Sequence, residues 1–344
     1  MNDKTKRFII IWLITACFLI FSLLVVGGIT RLTHSGLSMV EWKPLIGTIP
    51  PLNEAQWNQT FDLYQQFPEY QKLNEGMQLS EFKKIFLWEY AHRLIGKLIG
   101  LIFVIPFLYL LILRRLNREW IKRLLIMFTF GLAQGLLGWY MVKSGLVDNP
   151  YVSHYRLAAH LIMAFILMGY IFWSLLMLIS KSFPQKENVD LKRGAWIILF
   201  IVTVQIVYGA FTAGLKAGFA YNTFPKMNGA WLPPGFLALA PMYKNFFENP
   251  YTVQFLHRTL GWLNIFLIIV VWIYTKREEL EPRPKMAINM LSGWVIFQFL
   301  LGVLTLVLVV PISLAVLHQA GAMILFLLSI FWLHALSKQN TLGS

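Results

Sequence analysis

The chain has 344 residues, 57% of them hydrophobic and only 13% charged, with a mean hydropathy of +0.60. That balance excludes an ordinary soluble domain, in which about a quarter of the residues carry charge. The single cysteine, Cys17, excludes a disulfide framework and a thiolate metal site.

Apolar runs near the ~20 residues that span a bilayer occur eight times, at about 8–29, 88–113, 124–143, 155–179, 195–215, 255–275, 287–310 and 313–336. The first is longer than a signal-peptide core and lacks a small-residue cleavage site, so it is predicted to be a retained helix. The expected fold is therefore all-α: a polytopic membrane protein of eight transmembrane helices. With the N-terminus inside, the segments 1–7, 114–123, 181–193, 276–285 and the C-terminal tail hold 17 of the 30 basic residues. This asymmetry predicts an N-in/C-in topology. The net charge of +14 then reflects topology and anionic headgroups and calls for no nucleic acid.

Two long outer segments, about 30–87 and 216–253, echo one another. GGITRLTHSGLSMVEWKPLIGTIPP (27–51) matches GAFTAGLKAGFAYNTFPKMNGAWLPP (209–234) in its glycines, its aromatic residues and its closing Pro-Pro. Each follows the first helix of a half and is expected to form a lid. The helices repeat as well. EYAHRLIG (89–96) opens the second span, AQGLLG (133–138) lies in the third and LAAHLIMA (157–164) in the fourth. Their counterparts are QFLHRTLG (254–261), FQFLLG (297–302) and LAVLHQAGA (314–322). The chain thus divides into two tandem four-helix bundles, residues 1–180 and 181–344, arranged as a parallel repeat.

His92, His160, His257 and His318 all fall one to two turns in from the outer face, two in each half. Ionisable side chains within a membrane are costly and usually functional. A zinc ion would want three or four ligands, whereas two imidazoles per half match the axial ligands of a porphyrin iron. Four residues beyond each histidine, on the same helical face, stands a small residue: Gly96, Ala164, Gly261 or Ala322. Small side chains there would let a flat macrocycle lie against the backbone, although they also mediate helix packing. Arg93 and Arg258 follow the first histidine of each half, placed to pair with propionates.

The halves differ three residues before that histidine, where one has Glu89 and the other Gln254. A carboxylate at one pocket and its neutral isostere at the other make the first half the expected substrate pocket and the second the expected cofactor pocket. His34, His154 and His334 have no repeat partner. The first two are expected to be loop residues and the third a structural residue near the inner face.

Taken together, GGITRLTHSGLSMVEW (27–42), WEYAHRLIG (88–96), AQGLLGWYMVKSGL (133–146), HYRLAAHL (154–161), AGFAYNTFPKMNG (217–229), FLHRTLGW (255–262) and LHQAGA (317–322) resemble the haem A synthase family over essentially the whole chain. The resemblance implies an oxidoreductase of the cell membrane that converts the ring methyl of haem O to a formyl group, giving haem A for cytochrome c oxidase. It implies haem b held by His257 and His318, the substrate haem facing His92 and His160, and Glu89 as the essential glutamate, with the haem sites toward the extracytoplasmic face. It also implies contact with the enzyme that supplies haem O, and an unidentified membrane electron carrier. Some bacterial members carry a cysteine pair in an outer loop; this chain has none, so it resembles the branch that includes the mitochondrial enzymes. The alternative is a dihaem b-type cytochrome carrying electrons between a quinol and a partner, which would have no use for Glu89. A haem transporter is a further rival, disfavoured because the histidines lie toward the outer face and no helix is broken.

Overall fold

The computed structural model describes residues 2–40, 49–147, 150–180 and 188–337. Glu41 and Trp42 of the first loop motif, Lys181 and Lys186 of a basic segment, and the C-terminal tail lie outside them. Among the described residues there are eight helices long and apolar enough to cross a membrane. They are α1 (Asp3–Leu32), α4 (Leu79–Ile112), α5 (Arg118–Lys143), α6 (His154–Ile179), α7 (Val189–Gly214), α9 (Pro250–Thr275), α10 (Pro282–Val307) and α11 (Ile312–Leu336). The shorter helices α2 (Glu54–Gln65), α3 (Pro68–Leu73) and α8 (Asn245–Glu248) lie in the two long loops. The lids expected as plain loops therefore carry helices of their own.

Local chemistry sets where these helices begin. Asn117, Asn188 and Asn249 stand at the N-caps of α5, α7 and α9, each accepting a hydrogen bond from a first-turn amide. Proline at the first turn opens α9 and α10 without a lost bond. The first helix of each half ends alike. His34 and Lys216, each seven residues after its loop's opening glycine, adopt left-handed φ of 53° and 54°, the conformation that turns a chain off a helix. His34 is thus part of a helix terminus.

The chain forms two compact units. One is Phe18–Met163; the other is Asn2–Cys17 with the chain from Ala164 on. In the second, α7 packs on α9 and α11, and α10 packs on the same two helices, closing a four-helix ring. His334 is buried there, with Arg283 3.1 Å from its Nδ1 and Trp173 edge-on to its ring.

In the first unit, α4 has 34 residues, which at 1.5 Å each is about 51 Å, well beyond a ~30 Å hydrocarbon core. Its first turns therefore stand clear of the membrane and build the lid. Tyr64 of α2 and Phe82 and Phe86 of α4 are buried together, with Trp57, Phe61 and Tyr70 packed around them. The ring centres of Tyr64 and Phe82 are 5.0 Å apart. Such aromatic contacts add about 0.5–1.5 kcal/mol each beyond area burial.

The second lid is held by polar groups. Asn245 donates to the carbonyls of Leu239 and Met242, and accepts from the Leu239 amide and from Asn249. The residue that caps α9 thereby also anchors the loop.

Candidate functional site

Each of the four histidines faces a glycine on another membrane helix. A Cβ built at Gly27 would lie 2.8 Å from Cε1 of His92. The corresponding distances are 3.0 Å for Gly138 and His160, 3.2 Å for Gly209 and His257, and 2.7 Å for Gly302 and His318. Real Cβ atoms essentially never sit as close as at Gly27 and Gly302 and rarely as close as at Gly138 and Gly209, so the missing side chain helps admit each imidazole. Four positions before each glycine is the residue whose carbonyl the ring approaches: Leu23, Gln134, Gln205 and Gln298. The two-fold repeat of the sequence thus contains a finer unit, a glycine helix against a histidine helix, used four times.

Three of these units carry a glutamine. Gln298 Nε2 donates to the His318 carbonyl at 2.7 Å and lies 3.1 Å from its Nδ1. Gln205 does the same to His257 at 3.1 and 3.2 Å. Gln134 reaches only Nε2 of His160, at 3.4 Å. Gln298 can approach because residue 321 is glycine; a Cβ there would meet its Oε1.

In the second unit the rings of His257 and His318 have centres 6.5 Å apart and planes at 86°. Two metal–imidazole bonds of about 2 Å in line, with each ring centre about 1 Å behind its nitrogen, separate ring centres by about 6 Å. The pair therefore fits an axially ligated porphyrin iron. None of the four histidines is fully packed by protein, and among the described residues no three His, Cys, Asp or Glu side chains converge on a metal position. Arg258 donates to the carbonyl of Thr223. Its Nε and Nη1 are buried without partners, which suits a carboxylate ligand such as a propionate.

Glu89 is buried and tied to the first lid. Its Oε2 accepts from Ser38 Oγ at 2.7 Å and from the Met39 amide at 2.8 Å. Its Oε1 pairs with Arg93, one turn along α4, at 2.5 Å, and Arg93 also donates to the Met39 carbonyl at 2.8 Å. Gln254 donates from Nε2 to the carbonyl of Tyr221 at 3.0 Å. Met39 and Tyr221 each lie twelve residues beyond Gly27 and Gly209, so both side chains hold the same place in their lids. Of the small residues, Gly96 borders open space, whereas Gly261 is covered by Phe299 and Gln205. Ala164 and Ala322 are half-buried one turn beyond their histidines.

A family model described as cytochrome oxidase assembly protein, COX15-CtaA, matches residues 10–330. The chain belongs to the COX15-CtaA family. It is 46% identical over 334 residues to a protein of Nitrosospira multiformis, covering 96% of this chain and 94% of that one. It is 48% identical over 323 residues to one of Nitrosomonas eutropha, covering 92% and 90%. A third, from Flavobacterium psychrophilum, is 46% identical over 341 residues, covering 97% and 100%. All three are named Heme A synthase. Family membership and eight apolar helices make this a multi-pass membrane protein.

The histidine-facing role of the four glycines, and Gln205 itself, are not apparent from the single sequence segments. The signal was present, as QGLLG, QIVYG and QFLLG share one spacing, but only the first and third sat in segments already matched.

Proposed function

We propose that this chain is a haem A synthase, an oxidoreductase that converts the ring methyl of haem O to a formyl group, with the substrate in the first unit and haem b in the second. One observation carries the assignment of the halves: two equivalent lid contacts are made by a buried carboxylate at Glu89 and by a neutral amide at Gln254. A protein that only carried electrons would have no need of that difference.

In this reading His257 and His318 hold the haem b iron, while Arg258, Gly261 and Ala322 border that group. Bound haem b supplies one-electron redox chemistry. His92 and His160 face the substrate iron, with Arg93, Gly96 and Ala164 lining the substrate. Every partner of Glu89 described above is a donor, so its carboxylate serves as a fixed acceptor. We assign it two tasks: orienting Arg93 and the lid, and stabilising positive charge that develops at the methyl carbon.

Turning a methyl into a formyl group with water as the oxygen source adds one oxygen atom and releases four protons and four electrons, so the reaction needs an electron acceptor, which we assign to a membrane carrier. Haem O would enter laterally from the bilayer, delivered by contact with the enzyme that makes it. The basic segments support an inner-membrane protein with N-terminus and C-terminus inside, functional halves at 1–180 and 181–344, and haem sites near the extracytoplasmic face.

The test is Glu89→Gln, purified from cells that also make haem O, with the haems extracted and separated by reversed-phase chromatography. The expected result is haem b together with unconverted haem O, and formyl product reduced about 100-fold or more. Normal haem A output would remove Glu89 from the mechanism. Haem b alone, filling both pockets of the unaltered protein, would establish the electron-carrying cytochrome instead.

A further inference from the structure

The four histidines are not held equally. His318 and His257 are each clasped by a glutamine amide that bridges the ring and the histidine's own carbonyl. His160 keeps a single, longer contact to Gln134. At the fourth place the residue is Leu23. Among the described residues no side chain hydrogen-bonds the His92 ring; its Nδ1, like that of His160, is buried without a partner. A leucine side chain can offer nothing to an imidazole, which leaves only the Leu23 carbonyl that the ring approaches, whereas side-chain partners help to fix a ligating ring's orientation.

We propose that the glutamine clasp grades the histidines by permanence, and that His92 is the releasable ligand of the first pocket. This rests on the assignment of haem O to that pocket. A cofactor must stay, and its two histidines carry the strongest clasps. A substrate must arrive and depart, and its histidines carry one weak clasp and none. Release of His92 would leave the substrate iron held by His160 alone. Gln134, Gln205 and Gln298 are positioning residues, acting through the imidazoles.

The experiment compares Leu23→Gln, Gln205→Leu and the unaltered protein, each loaded with haem b and haem O. Two quantities are read: the ferric spin state, and the rate of haem transfer to excess apomyoglobin. The unaltered protein is expected to show a high-spin, five-coordinate fraction from haem O, and to release haem O faster than haem b. Leu23→Gln should convert that fraction to low-spin and slow haem O release. Gln205→Leu should speed haem b release about 10- to 100-fold.

If Leu23→Gln fails to fold, His92→Ala and His160→Ala decide the matter. The first should still bind haem O in five-coordinate form, and the second should lose it. Equal loss in both, or unchanged spin state and release rates in Leu23→Gln and Gln205→Leu, would overturn the proposal while leaving the function intact. Failure of the unaltered first unit to bind haem O at all would instead overturn the function on which it rests.

Discussion

Glu89 and Gln254 occupy the same place on α4 and α9, each reaching the backbone twelve residues beyond the opening glycine of its lid. They reach opposite ends of the peptide. The carboxylate accepts from the Met39 amide, whereas the glutamine donates to the Tyr221 carbonyl. The arginines one turn further along differ in a related way. Arg93 is engaged with Glu89 and the Met39 carbonyl, while Arg258 leaves two nitrogens buried and unmatched. One frame is internally charge-paired; the other holds an arginine ready for an anion. Duplication thus kept the scaffold and divided the electrostatics, as expected of a pair in which one site transforms its ligand and the other retains it.

The largest effect should come from reversing that division. In the double variant Glu89→Gln, Gln254→Glu, a neutral amide faces the Met39 amide and Arg93 loses its carboxylate, while a carboxylate faces the Tyr221 carbonyl. Formyl product should fall about 100-fold or more, and the second site should not acquire the activity, because its lid presents a carbonyl where the first presents an amide. Gln254→Glu alone, with two acceptors opposed in a buried position, should destabilise the second unit by about 1–3 kcal/mol, read as a lower unfolding midpoint. An unchanged midpoint would mean that the loop re-forms around the carboxylate, and the matched frames would lose their explanatory value.

A smaller effect tests the glycine–histidine packing within one unit. Gly302→Ala sets a methyl 2.7 Å from the His318 ring, and Gly209→Ala sets one 3.2 Å from His257. The first cannot be accommodated without moving the imidazole, whereas the second needs a shift of only a few tenths of an ångström. Haem retention should therefore fall about 10- to 100-fold in Gly302→Ala and much less in Gly209→Ala. Equal retention would show that the glycines serve helix packing alone.

How far the sequence could be read follows from which contacts are local. The eight spans, the four histidines and the Glu89/Gln254 contrast all lie within single segments, and all were legible. The Glu89–Arg93 pair is legible too, at i,i+4, although an arginine at that position also suits a propionate. Gln205 and His257 lie 52 positions apart, and glycine in a membrane helix has several uses. No single-segment pattern could therefore have joined them. The lid helices were missed because α2 is amphipathic rather than apolar, and its core is completed only by Phe82 and Phe86 from α4.

The two lids differ in chemistry as well, and that difference gives the smallest effect. The first encloses a carboxyl, Glu69, that is 4% exposed and accepts from Tyr64 at 3.1 Å, while Asn74 donates to the same phenol at 2.7 Å. Burial, with a further contribution from the charge of Glu89 and against the Tyr64 hydrogen bond, pushes Glu69 up to about 8. Tyr64 is pushed up as well, chiefly by burial. Because the folded lid holds a proton that the unfolded chain gives up near the ordinary carboxyl value, this stability is full below that value. It declines as pH rises and is gone once pH passes about 8. The second lid, fastened by neutral Asn245 and Asn249, has no such group in its network. Hydrogen exchange of the two lids between pH 5 and 9 should therefore show loosening with pH in the first alone, and Glu69→Gln should remove it. A pH response shared by both lids would place its origin outside Glu69.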